Sequence, residues 1–328
     1  MKYDVLHILK ENTHTFVSGQ LISDKLGVSR TAIWKYINNL KKEGYVIDSS
    51  SKKGYKLLDS PDILSFEEVE KYLTTNYIGK KIIHFEKLDS TNNKAKELAS
   101  NGEPHGALVI AEEQVGGRGR LGRAWCSPKY KGIWLSMILK PDINPMQIPK
   151  ITQIAAAAVI NSLKNFKIEA TIKWPNDIII NGKKICGILT EMNAEMNKVH
   201  YVVLGMGINA NLDKDDFEKD MLDKATSIKI ETGTALDRKS FLGNLINEFE
   251  YLYGEFDKTQ SIESSIKICR NNSAVIGKTI RIIRGKNETF AKALNLDENG
   301  GLIVQYEDGT LENLISGEIS IRALNGYI

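Results

Sequence analysis

The chain has 328 residues, 42% hydrophobic and 26% charged, with a net charge of only +3, so it can bury more than one core and we expect two or three domains. No window approaches the roughly 18 consecutive apolar residues of a membrane span, and the N-terminus lacks the apolar core of a signal peptide, which predicts a soluble cytoplasmic protein with no membrane partner. The three cysteines, Cys126, Cys186 and Cys269, have no C-x-x-C spacing and no histidine at ligand spacing, so we expect reduced, structural thiols rather than a disulfide framework or a zinc site.

The first 58 residues form a basic module. They hold ten Lys and Arg side chains against five Asp and Glu, whereas the remaining 270 residues hold 34 against 36. This asymmetry predicts that only the N-terminal part contacts a polyanion.

Residues 18–58 predict a winged helix-turn-helix. One short helix begins at Ser18 and ends at Gly27, and a second begins after Ser29 and ends at Gly44. Two strand-like runs around the basic tip SSSKKG then form the wing. The side chains expected in the core are Leu21, Ile22, Leu26, Ile33, Ile37 and Leu40.

The start of the second helix is where a recognition helix contacts base edges, and a basic wing contacts phosphates. The residues predicted to bind DNA are Ser29, Arg30, Thr31, Trp34, Lys35, Lys52 and Lys53. A winged helix used for protein contacts, with a solvated basic face, is the alternative.

The rest of the chain predicts two further domains. A boundary lies near Pro61, a new helical pattern begins at Ser65, and helices interspersed with strands and hairpin signals predict a mixed α/β domain. From about residue 274, short strands separated by glycine turns predict a small SH3-like β-barrel. The expected fold class is therefore α+β and multidomain, with domains at residues 1–60, 65–270 and 274–328.

Residues 114–125, QVGGRGRLGRAW, combine backbone freedom with positive charge. The loop lies between two apolar runs, so it is not the N-terminus of a crossover helix. Its glycines, Gly116, Gly117, Gly119 and Gly122, permit positive φ and close approach to a ligand, and its arginines suit phosphate or carboxylate. We interpret it as a mobile anion clamp, the alternative being a disordered basic connector.

Two shorter motifs follow. KWPND, residues 173–177, places polar groups beside a proline bend, and a hairpin carrying Lys183 and Lys184 comes next. GMGIN, residues 205–209, permits close backbone approach and carries the amide of Asn209, but a lone G-x-G is weak evidence. Taken separately, KWPND could be only a capped turn, and the lysines of the hairpin could be only solvated.

The segments STNNKAKEL, EEQVGGRGRLGRAW, KWPNDIIINGKKICGIL and GMGIN, in this order after a winged helix, resemble the biotin–protein ligases, specifically the bifunctional ligases that also repress the biotin operon. The similarity covers essentially the whole chain, including GEISIR near its C-terminus. It implies a central domain of the class II synthetase-like, biotin/lipoate ligase type.

The resemblance also implies an activity. The family activates biotin with ATP and Mg²⁺ to biotinyl-5′-AMP and transfers biotin to one lysine of a biotin carboxyl carrier protein. The adenylate then acts as corepressor, and the ligand-bound homodimer binds operator DNA. No permanent metal is expected, and Mg²⁺ would enter with ATP near Asp177.

The residues are carried over by their positions in these motifs. Catalytic charge is assigned to Lys184, Arg118 and Arg120, with Lys184 preferred to Lys183 because it lies seven residues after Asp177. Biotin is assigned to Ser90, Thr91, Asn92, Gln114, Gly117, Arg118, Gly119, Arg120, Lys184, Gly187 and Gly205. The nucleotide is assigned to Arg118, Arg120, Arg123, Trp125, Asn176, Asp177, Asn209 and Arg322.

The chain departs from the family pattern at two points. Leu121 stands where an arginine is common, and no aromatic that stacks on adenine is identifiable in residues 211–228. Two alternatives stay open: a transcription factor with a degenerate ligase domain that only senses ligand, and a lipoate ligase of the same fold.

Overall fold

The computed structural model describes residues 1–315 and 319–323; residues 316–318 and 324–328, part of the predicted C-terminal domain, lie outside the described residues. The chain divides into two compact units, Met1–Ile63 and Leu64–Ile328. None of the helices in the described ranges is both long and apolar enough to cross a membrane.

The first unit is a winged helix-turn-helix, as predicted. It contains α1 (Lys2–Glu11), α2 (Gly19–Leu26), α3 (Arg30–Lys42) and the antiparallel hairpin of β1 (Val46–Ser50) and β2 (Gly54–Asp59). Ser18 and Ser29 cap α2 and α3 by accepting the N–H groups of Leu21 and Ala32. Gly27 ends α2 in the left-handed region at φ 66°, which a glycine adopts without steric cost.

One core prediction is wrong in this unit. Leu21 is 56% exposed, whereas Ile22 is fully buried. In a helix of only eight residues, the narrow buried face is set by the contacts of α2 with its neighbours, so one of two adjacent apolar residues points outward. Helix α1, which the sequence analysis did not identify, supplies much of the remaining core through Val5, Leu6, Ile8 and Leu9.

The second unit is built on a seven-stranded mixed sheet. Its strands are β3 (Ile82–Leu88), β4 (Leu108–Gln114), β5 (Ile133–Leu139), β6 (Thr171–Lys173), β7 (Asp177–Ile180), β8 (Lys183–Glu195) and β9 (Lys198–Ile208). They lie in the order β3-β4-β5-β9-β8-β7-β6. Only β3 and β4 are parallel, so the predicted mixed α/β arrangement is confirmed.

Among the described residues, six α-helices accompany this sheet: α4 (Phe66–Val69), α5 (Thr91–Ser100), α6 (Ile148–Asn165), α7 (Ile228–Thr232), α8 (Arg238–Thr259) and α9 (Glu263–Asn271). The alanine-rich α6 is buried along nearly its whole length, because it packs against the sheet, α8 and α9 together. A helix enclosed on all sides needs apolar residues around its whole circumference.

The C-terminal part is a five-stranded antiparallel sheet, which confirms the predicted small β-domain. Its strands are β10 (Thr279–Arg284), β11 (Asn287–Leu296), β12 (Leu302–Gln305), β13 (Leu311–Leu314) and β14 (Ile319–Ala323), in the order β13-β12-β11-β10-β14. Apolar residues of this sheet belong to the same buried cluster as the central sheet. The boundary at residue 274 stays a prediction.

Candidate functional site

A cavity of about 540 Å³ lies in the second unit, and we call it the central cavity. It is lined by predicted residues from the start of α5, the glycine-arginine loop (residues 114–125), the turn before β7, and strands β8, β9 and β14. The predicted residues that line it are Ser90, Thr91, Asn92, Gln114, Arg118, Gly119, Arg120, Arg123, Trp125, Asn176, Asp177, Lys184, Gly187, Gly205 and Arg322. Segments separated by more than 200 residues therefore meet at one site.

The end of the cavity beside α5 is neutral and hydrogen-bonded. Gln114 Oε1 accepts from the backbone N–H of Thr91 at 2.8 Å and from its hydroxyl at 3.1 Å, while Gln114 Nε2 donates to Ser127 Oγ at 2.9 Å. A Cβ at Gly205 would lie 2.2 Å from Asn92 Oδ1. The amides are thus fixed in orientation, as recognition of a neutral polar ring requires.

Two glycines form a flat surface on the sheet within the cavity. Gly187 and Gly207 are direct partners in β8 and β9. The indole of Trp125 lies against both, since a Cβ at either position would come within 3.0 Å of its atoms. Gly207 was not predicted as a site residue, although it belongs to the same G-M-G motif as Gly205.

The glycine-arginine loop connects β4 to β5, which run antiparallel, as expected for a loop between two apolar strands. Of its four glycines only Gly122 has a positive φ, 70°, and Leu121 beside it shares that region at 57°. Gly117 is required for another reason: a Cβ there would lie 2.5 Å from the Trp125 carbonyl oxygen. Close contact rather than backbone freedom therefore explains this glycine.

The loop arginines have different surroundings. Arg120 donates to Asn176 Oδ1 at 3.1 Å, and burial lowers its pKa. Asn176 in turn donates to the carbonyl oxygen of Ile188 at 2.8 Å. Arg118 is more exposed and donates to Asn93 Oδ1 at 2.7 Å. The loop is thereby attached to the sheet at one point and to α5 at another.

The segments on either side of the loop contact a buried ion pair. Glu112 on β4 and Arg238 on α8 are both inaccessible to solvent and lie 3.0 Å apart. The backbone carbonyl of Glu112 accepts from the N–H of Tyr130, and Arg238 donates to the carbonyl oxygen of Gly132 at 2.8 Å. Burial opposes ionisation of Glu112, yet hydrogen bonding to His84 and the charge of Arg238 hold its pKa below its usual range.

The other end of the cavity is strongly cationic. Lys184 Nζ lies 2.5 Å from Asp177 Oδ1 and 4.9 Å from the centroid of the Trp125 ring. Lys173, only 3% exposed, also lines this end. Burial, together with the nearby charge of Arg322, lowers the pKa of Lys173 to about 7. Several cations facing one carboxylate make a site for a polyanionic ligand.

Lys173 was quoted in KWPND but not predicted as a site residue. A lysine at the end of a short strand normally reaches solvent, and no local signal shows that this one is enclosed. Two predicted residues lie outside the cavity lining. Gly117 packs against the Trp125 carbonyl within the loop. Asn209 is buried, and its amide donates to the carbonyl oxygen of Thr226 at 3.0 Å. The assignment of Asn209 to the nucleotide stays a prediction.

The three cysteines are free thiols. Cys186 and Cys269 are buried, and Cys126 is exposed. Burial raises the pKa of Cys186 and Cys269 to about 12, so both remain protonated. Within residues 1–315 and 319–323, no group of three or more His, Cys, Asp or Glu side chains could hold a metal ion.

The first unit carries the predicted DNA-binding residues around a groove between α3 and the wing. Arg30, Thr31, Trp34 and Lys52 line this groove, and Lys35 is exposed next to them on α3. Lys53 lies with its Nζ 5.6 Å from the centroid of the Phe16 ring. Ser29 caps α3 and does not line the groove.

Comparison with known proteins gives consistent matches along the chain. The description "Biotin/lipoate A/B protein ligase family" matches residues 84–209, "HTH domain" matches residues 2–56, and "Biotin protein ligase C terminal domain" matches residues 275–322. The bifunctional ligase/repressor BirA of Bacillus subtilis is 40% identical over 324 residues, which cover 98% of each chain. BirA of Escherichia coli is 29% identical over 94% of each chain.

A solved structure supports the fold of the second unit. The biotin protein ligase of Aquifex aeolicus, in complex with biotin and ATP, superposes with a TM-score of 0.64 at 28% identity. The match covers 74% of this chain and 99% of that one. The predicted ligase-type architecture of the central domain is therefore confirmed.

Proposed function

The chain belongs to the family of bifunctional biotin–protein ligases and repressors, and from this premise we propose that its central cavity activates biotin with ATP to biotinyl-5′-AMP. We further propose that biotin then passes from the adenylate to one lysine of a biotin carboxyl carrier protein. The chain is a ligase with a DNA-binding domain, as its relatives and its domain matches indicate.

The observation that carries this proposal is the polarity of the central cavity. One end offers the fixed amides of Gln114 and Asn92, suited to the neutral ring of biotin. The other end offers Lys173, Lys184 and Arg120, suited to phosphate. A single cavity with these two ends fits a ligand that is half biotin and half nucleotide.

The first chemical step joins two anions. The biotin carboxylate attacks the α-phosphorus of ATP, forming a C–O–P linkage, and the bond to pyrophosphate breaks. Lys184, held beside Asp177, would lower the repulsion between the reactants and stabilise the charge that develops on the phosphoryl oxygens. Its role is electrophilic, because a nucleophilic lysine would retain biotin itself.

The glycine-arginine loop would close over the adenylate. Arg120 already reaches the sheet through Asn176, so closure would bring its charge beside the phosphate while excluding water that would hydrolyse the mixed anhydride. Mg²⁺ would enter with ATP, since one carboxylate, Asp177, together with substrate phosphates suits this ion, which would neutralise charge on the leaving pyrophosphate.

The second step transfers biotin to a carrier lysine. The ε-amine attacks the acyl carbon of the adenylate, an amide bond forms, and AMP leaves. The same adenylate, when no carrier is present, would order the glycine-arginine loop and favour a homodimer that binds operator DNA through the first unit. Since the first step uses ATP and the homodimer would bind operator DNA, we propose that the protein acts in the cytoplasm.

The adjacent lysines of the β7–β8 hairpin offer a matched test of the first step. Lys184→Gln should slow biotin-dependent pyrophosphate release by roughly 10²-fold or more, because one preorganised charge at the phosphoryl group is lost. Lys183→Gln should stay near wild type, since Lys183 Nζ donates to the carbonyl of Leu222 at 2.8 Å and does not line the cavity. Pyrophosphate release with lipoate in place of biotin, or no pyrophosphate release by the wild type, would contradict the proposed function.

A further inference from the structure

Glu191 on β8 is a carboxylate shared by three donors from two other segments. Its Oε2 accepts from Asn92 Nδ2 at 2.8 Å. Its Oε1 accepts from Lys96 Nζ at 2.5 Å and lies 3.4 Å from Arg118 Nη2. Burial opposes ionisation, but the hydrogen bonds from Lys96 and Asn92 keep the pKa of Glu191 below its usual range.

Two of these donors belong to the central cavity, at different parts of its wall. Asn92 lies on α5 at the end assigned to biotin, and Arg118 lies on the glycine-arginine loop. Glu191 itself does not line the cavity, so it can act on a ligand only through these neighbours. It is the one side chain with contacts to both of them among the hydrogen bonds of the described residues.

The orientation of each neighbour depends on its contact with Glu191. The Asn92 oxygen accepts from Ser136 and is confined by Gly205, so donation from its nitrogen to Glu191 fixes the amide plane. Arg118 uses Nη2 for both Glu191 and Asn93. Its Nη1 and Nε are not engaged by these contacts and remain available for an anion.

We propose that Glu191 is a positioning residue that holds Arg118 for the phosphate of biotinyl-5′-AMP and ties it to the biotin-binding amide of Asn92. A long side chain on a glycine-rich loop loses rotamer freedom when it binds a ligand. Because Glu191 already restricts Arg118 in the free protein, less entropy is lost when the ligand binds. The negative charge of Glu191 also offsets the mutual repulsion of Lys96 and Arg118. This inference rests on the proposed function, because it takes the adenylate as the ligand.

A double-mutant cycle on the full chain tests the inference, with chemically prepared biotinyl-5′-AMP as the probe. The dissociation rate of the adenylate is measured for wild type, Glu191→Gln, Arg118→Ala and the double variant. We expect Glu191→Gln to release the adenylate about tenfold faster, equivalent to about 1.4 kcal/mol. We expect it to add less than twofold in the Arg118→Ala background, because the amide oxygen left by the substitution can still accept from Asn92 and only the charged support of Arg118 is lost.

Further readouts separate positioning from general damage. Glu191→Gln keeps the size of the side chain, and its thermal unfolding without ligand should match that of Glu103→Gln, a carboxylate paired with Lys81 at 2.6 Å outside the cavity. The KM for biotin should rise while the KM for the carrier stays unchanged. Glu103→Gln should release the adenylate at the wild-type rate.

The outcomes are distinguishable. A Glu191→Gln rate within twofold of wild type, or effects of the two substitutions that simply multiply, would overturn the positioning role while the proposed function stands. Failure of the wild type to bind the adenylate at all would overturn the proposed function and this inference with it.

Discussion

Different structural constraints explain the individual glycines of the glycine-arginine loop. A Cβ at Gly117 would lie 2.5 Å from a backbone oxygen and 2.9 Å from Ser127 Oγ, whereas a Cβ at Gly119 meets nothing closer than 3.8 Å. Gly119 also has a φ of −106°, which any residue can adopt. Gly117 is thus explained by close packing, Gly122 by the turn that needs a positive φ, and Gly119 by its place in the cavity wall.

This difference gives a paired prediction at the residue scale. Gly117→Ala should displace the Trp125 backbone and weaken adenylate binding by about tenfold or more, because small misplacements of a binding loop are costly. Gly119→Ala should remain within a few-fold of wild type. Equilibrium binding of biotinyl-5′-AMP by calorimetry compares the two, and equal losses would mean that the contact at Gly117 is not what selects glycine there.

At the level of elements, the glycine-arginine loop is held differently from the segments on either side of it. The loop is flanked on both sides by segments that contact the buried pair of Glu112 and Arg238. Its middle is attached mainly through side chains, Arg120 to Asn176 and Arg118 to α5. Breaking a buried ion pair costs roughly 3–5 kcal/mol, whereas single hydrogen bonds are worth about 1 kcal/mol. The flanking segments should therefore stay fixed while the middle of the loop opens and closes.

Removing the contact of Arg120 with Asn176 should let the adenylate escape from the central cavity. Arg120→Gly should still form biotinyl-5′-AMP but release it into solution, because the charge and the contact with Asn176 that keep the loop closed are both lost. Chromatography of the nucleotide fraction during turnover without carrier measures the free adenylate. A variant that retains the intermediate as tightly as wild type would contradict closure by Arg120.

At the scale of the whole molecule, the buried cluster of the first unit is separate from those of the second. The cluster in residues 1–63 and the large cluster in the second unit are separate sets of buried residues. Units with independent cores can be altered one at a time.

This independence predicts a separation of functions. Arg30→Ala should weaken operator binding and leave biotin-dependent pyrophosphate release unchanged, because Arg30 lies at the exposed start of α3. Lys42→Ala, at the other end of the same helix, should have little effect on either. For wild type, biotin plus ATP should tighten both dimerisation and DNA binding, as sedimentation and gel-shift titrations would measure. Equal DNA affinity with and without these ligands would show that biotinyl-5′-AMP is not a corepressor.

The local sequence determined the elements and the motifs of this protein. Helix caps, the Gly27 turn and alternating apolar runs depend on neighbouring residues, so the winged helix and the mixed sheet were predictable. The missed helix α1 also had its signal, since Val5, Leu6, Ile8 and Leu9 recur at helical spacing. The order of the motifs sufficed to identify the family.

Only the tertiary structure decided which side chains share a cavity and which are enclosed. Leu21 and Ile22 are equally apolar, and packing of a short helix exposes one of them. Lys173 and Arg322 are 149 positions apart in the chain, yet both line the cationic end of the central cavity. Glu191 gained its partners because the fold brings this position of β8 within side-chain reach of α5 and the loop. Burial and long-range charge are sums over the whole fold, and no short window of sequence contains them.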